Sequence, residues 1–311
     1  MNPAFSVIVF TTVAGAAQGL VVALAFAVLG GLDPGVAFLG RALLVAAALL
    51  VVGLAASFLH LGRPERAWRA AMMWRTSWLS REVIVLPAFI GVVALWWLAL
   101  RIASPGLLAN LLLPLAAIAV GSALWYCTAM IYACLRFIEE WSHPLTLVNF
   151  VLIGLASGLL LASALGAVSG ANAFVHATGP AALVATLSAW AGRTLALRRN
   201  ASIRHRSTLQ SATGIQAPLL VQKSMGMSAG SFNTREFFHS ASAAGLKRIR
   251  LALFVLGFAL PSLLAAWAIA SQASWPWWCA VLVQAPGLVA DRWFFFAQAK
   301  HPQNLYYQVV S

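Results

Sequence analysis

Residues 5–30 read FSVIVFTTVAGAAQGLVVALAFAVLG, a run without one charged side chain. A helix needs roughly 20 apolar residues to cross the hydrocarbon core of a bilayer. This stretch is long enough. The first basic residue is Arg41, too late to supply the positive n-region of a cleavable signal, so the run is expected to remain in the mature chain as a membrane span.

Outward from it, the same ruler finds seven further stretches, at about 37–59, 82–103, 107–133, 145–168, 179–197, 249–271 and 276–298. Turn chemistry separates them: Asp33-Pro34-Gly35, Ser104-Pro105-Gly106, Ser142-His143-Pro144 and Ser274-Trp275-Pro276-Trp277. Composition agrees with the count. Of 311 residues 62% are hydrophobic and 9% charged, and the mean hydropathy is +0.87, against about 45–50% apolar and about 25% charged for soluble domains. The predicted fold is all-α, a polytopic membrane protein whose eight transmembrane helices form a bundle, with 1–311 as one integral membrane domain. A soluble enzyme and a disordered chain are excluded.

Two connections are long. Residues 60–81, HLGRPERAWRAAMMWRTSWLSR, mix arginine with tryptophan as a segment lying among lipid headgroups would. Residues 198–248 are rich in Ser, Gln, Gly and basic residues and read as an aqueous loop. With eight spans, both termini share a face with the second, fourth and sixth connections. That face takes 18 of the 20 Lys and Arg, leaving Arg41 and Arg101 to the other. The asymmetry predicts cytoplasmic N- and C-termini and makes 198–248 a cytoplasmic loop. The net charge of +13 is thereby a topology signal, and no nucleic-acid partner is expected.

Few polar residues lie where water cannot account for them. Of seven acids, Glu82 and Asp291 border or enter apolar spans, where ionisable groups are costly and mark function. Asp291 precedes Arg292, so the bland reading is a structural ion pair between the two. Glu82 follows Arg81 and opens the third span, where it could simply complement a helix N-terminus. His60 closes the second span, at the same membrane depth as Glu82. A histidine and a glutamate bracketing an amphipathic loop could hydrogen-bond the two polar ends of a quinone and pass protons to it, a task that suits histidine's titration near neutrality. Haem held between helices normally takes axial histidine, and His60, His143, His176, His205, His239 and His301 all fall outside span centres, so no haem is expected. Cys127, Cys134 and Cys279 read as soft apolar residues; three cysteines cannot build a four-cysteine iron–sulfur site. No metal site is expected. Gly15-x-x-x-Gly19, Gly154-x-x-x-Gly158 and Gly166-x-x-x-Gly170 read as helix-packing motifs. A small-solute transporter is the reading from another class, but neither a charge relay nor paired Gly/Pro-broken helices support it.

The start MNPAFSVIVFTT with GAAQG, the stretch HLGRPERAW…WRTSWLSRE (60–82) and FNTREFF (232–238) resemble the membrane-anchor subunits of dimethyl-sulfoxide-reductase-type molybdoenzymes. The resemblance runs over nearly all the chain. The STLQSATG and SFNTREFFH pieces bring it nearer to the anchor of quinone-dependent sulfite dehydrogenase than to the sulfoxide reductase anchor. It implies a bacterial inner-membrane subunit without haem that exchanges electrons with ubiquinone or menaquinone. It also implies a four-cluster [4Fe–4S] subunit and a molybdopterin catalytic subunit as partners, which hold those cofactors themselves. The family's histidine in HLG-x-P corresponds to His60 and its glutamate in S-x-E to Glu82, both associated with quinol binding; Tyr132, ahead of the Trp141–Pro144 turn, corresponds to a further residue near that pocket. The chain departs from the pattern with arginine at Arg63 and Arg81. The expected site is therefore His60, Glu82, Arg81, Trp78 and Tyr132 for quinone, with no catalytic residue of its own, and Arg63, Arg66 and Arg69 with the 198–248 loop for docking the iron–sulfur partner. Sulfite oxidation in the partner would feed electrons to quinone; the alternative is a quinol-oxidising anchor feeding a sulfoxide-type reductase.

Overall fold

The computed structural model describes residues 2, 4–59, 61, 63–102, 106–204, 208–221, 239 and 241–302. Eight long helices follow in chain order: α1 (Phe5–Leu29), α2 (Val36–Phe58), α3 (Trp78–Ala99), α4 (Leu108–Ala133), α5 (Pro144–Val168), α6 (Asn172–Ala201), α7 (Ala243–Ser271) and α8 (Trp275–Ala297). The described residues hold no β-strand, as an all-α chain in lipid requires, because helices satisfy their backbone polar groups internally.

Seven of these helices are long and apolar enough to cross a membrane. The exception is α6. It has 30 residues where a span of 179–197 is expected, and it carries Asn172, His176, Arg193, Arg198, Arg199 and Asn200. Pro180 does not start it, because a proline inside a packed membrane helix is tolerated when neighbours take up the freed backbone groups. The helix lies along α5 and belongs to the bundle.

The bundle is organised around α1, which packs on α2, α4, α5 and α8. Lipid is as apolar as leucine, so helices associate through close backbone approach and polar ties rather than through a hydrophobic drive. The crossing of α1 and α5 shows the first device: a methyl group on Gly19 would overlap the Gly154 carbonyl, and one on Gly158 would overlap Gly19. Two of the three glycine motifs thus pack as expected. The third does not act as a helix face, since Gly170 lies beyond the end of α5 in a turn at φ +70°. The second device is a set of side-chain amides and indoles that donate to backbone oxygens on another helix: Gln18 to Gly121 at 3.2 Å, Asn149 to Gly192 at 3.3 Å, Gln284 to Gly257 at 3.3 Å and Trp96 to Ala109 at 2.9 Å.

Two π-helical turns, Leu108–Leu112 in α4 and Val255–Ala259 in α7, both run up to a proline, Pro114 and Pro261. Proline has no N–H to donate and its ring crowds the carbonyl four residues back, and a locally widened helix relieves that crowding. Residues 60–81 contain a 3₁₀ helix, Pro64–Met73, and then the first turn of α3. The predicted 198–248 loop is shortened at both ends: α6 runs to Ala201, α7 begins at Ala243, and a short helix, Leu209–Thr213, lies between.

Candidate functional site

Ser77 accepts a hydrogen bond from the Ser80 N–H at 3.3 Å and so starts α3 one residue later, at Trp78. Glu82 consequently sits beyond the first turn. It is not the first-turn acid that would offset a helix dipole, and its carboxylate accepts a hydrogen bond from the Thr128 hydroxyl on α4. Glu82 is 6% exposed and Thr128 is 7% exposed, so this pair is shut away from solvent.

Arg81 faces the other way. Its Nε donates to the Trp74 carbonyl and its Nη2 to the Arg75 carbonyl, both at 2.8 Å, and its guanidinium lies 4.0 Å from the centre of the Trp78 ring. That geometry ties the end of the arginine–tryptophan segment to the top of α3. Trp78 in turn meets Tyr126 of α4 edge-on at 5.3 Å, and Tyr126 is exposed on the bundle surface. Trp78, Arg81 and Glu82 thus share the first turns of α3, with Trp78 paired to Tyr126 and Glu82 to Thr128 on the neighbouring α4. His60 lies outside the described residues, as does the FNTREFF stretch at 232–238.

Tyr132 is one turn along α4 from Thr128, on the inner side. Its ring packs against Trp141, Phe150, Phe295 and Phe296 at centroid distances of 5.3–5.8 Å. It belongs to an aromatic cluster between α4, α5 and α8, within electrostatic reach of Glu82 but not in contact with Trp78 or Arg81 in any described interaction. The cluster is anchored by the Trp141 indole, which donates to the Phe295 carbonyl at 3.0 Å.

A second buried polar group emerges at the same end of the bundle. Asp291 of α8 forms its ion pair with Arg193 of α6 at 2.5 Å, with side chains 1% and 3% exposed. The expected pair of Asp291 with Arg292 is not among the ion pairs of the described residues. Consecutive residues on a helix point in different directions, about 100° apart, which favours a partner on another helix. Arg292 instead lies over the Phe150 ring at 3.9 Å and is 4% exposed. Arg193 and Arg292 therefore leave the count of surface charges on which the topology reading rests. The sequence signal for Arg193 was present, a cation inside AWAGRTLAL, but a span drawn to end at 197 placed it at a membrane face.

Arg63, Arg66 and Arg69 are exposed, on and beside the 3₁₀ helix. Arg66 pairs only loosely with Glu65, at 3.9 Å. Trp68 and Trp74 stand out from the same segment, 63% and 52% exposed, each with the following arginine 5.4–5.5 Å from its ring. Among the described residues no group of three or more His, Cys, Asp or Glu could hold a metal ion.

The sequence matches the family described as "DMSO reductase anchor subunit (DmsC)" over residues 1–283. It is 48% identical, over the full length of both chains, to one of the subunits of sulfite dehydrogenase from Allochromatium vinosum. It is also 34% identical to "Anaerobic dimethyl sulfoxide reductase chain YnfH" of Escherichia coli, across 38% of this chain and 41% of that one.

Proposed function

This chain belongs to the DMSO reductase anchor subunit (DmsC) family, and from that premise we propose that it is the quinone-reactive anchor of a sulfite-oxidising molybdenum and iron–sulfur complex in the bacterial inner membrane. The full-length relative named as a sulfite dehydrogenase subunit supports sulfite as the electron source; the sulfoxide reductase relative covers little more than a third of the chain. The reverse direction, quinol oxidation feeding a reductase, therefore has less support.

One observation carries the quinone reading: the buried Glu82 carboxyl is held by Thr128 of α4, on the same two helices that pair Trp78 with the exposed Tyr126. A quinone accepts two electrons and two protons when reduced. The residues fit such a headgroup, because it needs flat apolar walls and a proton-bearing group sheltered from bulk water. Trp78 and Tyr126 supply the walls on the lipid-facing side, where a membrane-dissolved molecule arrives. Glu82 supplies a carboxyl able to hold and release a proton, and Thr128 fixes its orientation. His60 would be the second proton group. Arg81 positions Trp78 by stacking on it rather than by touching the carboxylate. Tyr132 shapes the inner wall at one remove.

The exposed face formed by Arg63, Arg66, Arg69, Trp68 and Trp74, with the 198–248 loop, would dock a four-cluster iron–sulfur subunit, which in turn carries the molybdopterin subunit. That face and both termini are assigned to the cytoplasm on the charge asymmetry. Gentle detergent extraction tests the whole reading. Two further subunits, molybdenum, iron and sulfite-dependent quinone reduction should accompany the chain. A chain that purifies alone and free of both metals contradicts it.

A further inference from the structure

Arg292 has a feature that the site above leaves unused. It is 4% exposed, it stacks on Phe150, and among the described residues nothing accepts a hydrogen bond from its Nε. A guanidinium keeps its proton under all ordinary conditions, so this charge cannot be shed. Buried polar groups of this kind find their partners in protein or in ordered water.

Room for water lies on both sides of it. An inner cleft between α1, α4, α5 and α8 is lined by Thr11, Gln18, Thr128, Phe150 and Arg292. An outer cleft between α5, α6, α8 and the α4–α5 connection is lined by Glu140, His143, Arg193, Asp291, Phe150 and Arg292 among others. Each has about 10 Å³ free for a water-sized occupant, about what one water molecule needs. Phe150 and Arg292 line both clefts, so their stacked pair is the partition between them. Thr128, which lines the inner cleft, donates its hydroxyl hydrogen to Glu82.

We propose that Arg292 holds ordered water in both clefts and bridges a hydrated path through which Glu82 exchanges protons with the end of the bundle at Glu140 and His143. The proton balance is simple. A proton entering at the outer cleft is taken by water, each oxygen along the path hands on the one it carried, and Thr128 gives its own to Glu82 while accepting another from the inner water. Arg292 orients those waters and is never deprotonated. It is a positioning residue, and Phe150 limits the passage.

The path rests on the reading of Glu82 as a proton group, but it belongs to the chain whether or not quinone binds. It is therefore tested by hydrogen–deuterium exchange of the Glu82 carboxyl, followed by infrared spectroscopy of the full chain with its co-purifying subunits, at a pH where that carboxyl is protonated. The band is identified by its loss in Glu82→Gln. Arg292→Met should slow the exchange by about tenfold, as the loss of one hydrogen bond from a charged group to the ordered water would, and Arg292→Lys should keep it near the unsubstituted rate. Phe150→Leu, which removes the stacked ring, should speed it; that opposite sign decides the matter alone if Arg292→Met fails to fold. An unchanged rate in Arg292→Met and Phe150→Leu overturns the proposal, as does a loss in Arg292→Lys equal to that in Arg292→Met. Normal quinone turnover in Glu82→Gln would instead remove the quinone reading and leave the path standing.

Discussion

Glu82 and Asp291 are both acids buried in a membrane bundle, and they are accommodated in opposite ways. Glu82 has a neutral hydroxyl as its described hydrogen-bond partner, with the adjacent Arg81 turned outward onto Trp78. Asp291 has a full positive charge at 2.5 Å, with a second cation stacked one residue on. A carboxyl with a hydroxyl partner can gain or lose a proton without stranding an opposite charge. One locked to a guanidinium cannot. The first arrangement suits chemistry, and the second suits holding helices together.

Substitutions can undo this contrast at several points. The largest effect is expected at Asp291→Asn, which leaves Arg193 buried without its counter-charge and should cost about 3–5 kcal/mol, seen as a sharp fall in the detergent unfolding midpoint or in membrane accumulation. Combining Arg193→Met with Asp291→Leu should recover most of that loss, because an apolar pair of similar volume avoids the stranded charge. Thr128→Val should be milder, about 1–3 kcal/mol for an unsatisfied buried acceptor, and should disturb quinone turnover as Glu82 loses its orientation. Glu82→Gln should scarcely change the unfolding midpoint, within about 1 kcal/mol, since its amide oxygen can still accept from Thr128. A large destabilisation there would make Glu82 another structural ion.

The smallest effect concerns His143, which caps α5 by accepting the Leu145 N–H on Nδ1 at 3.1 Å. Burial, and secondarily Arg199, lower its pKa from the ordinary histidine value. The folded ring thus takes up a proton less readily than the unfolded one. Stability is whole above about pH 6.5 and declines as pH falls below it, while protonation also removes the acceptor. His143→Asn, which can cap without titrating, should flatten that acid limb of the unfolding curve.

Much of this was legible from residues alone, for reasons that differ by region. Charge-free runs such as 5–30 announce a span because nothing else tolerates them, and Glu82 stood out as an acid at the edge of one. The start of α3 was harder. Trp78 and Leu79 suit a headgroup segment as well as a helix, so the span began one turn late and Glu82 looked like a first-turn acid. Arg193 was missed for a related reason. Hydropathy reports an average along the chain, not the facing of a helix, so a cation near a predicted end was counted with the solvent although its partner Asp291 lies 98 positions away. Thr128 had no signal at all, since a hydroxyl in a membrane helix usually bonds to its own backbone.

The proposed quinone chemistry hinges on the sheltered Glu82 carboxyl. Glu82→Gln in the assembled complex tests that most directly, with sulfite oxidation measured to a quinone analogue and to an artificial dye. Quinone-linked turnover should fall to a small fraction while dye-linked turnover and assembly are preserved. Undiminished quinone-linked turnover in that variant would mean that Glu82 takes no part in the reaction.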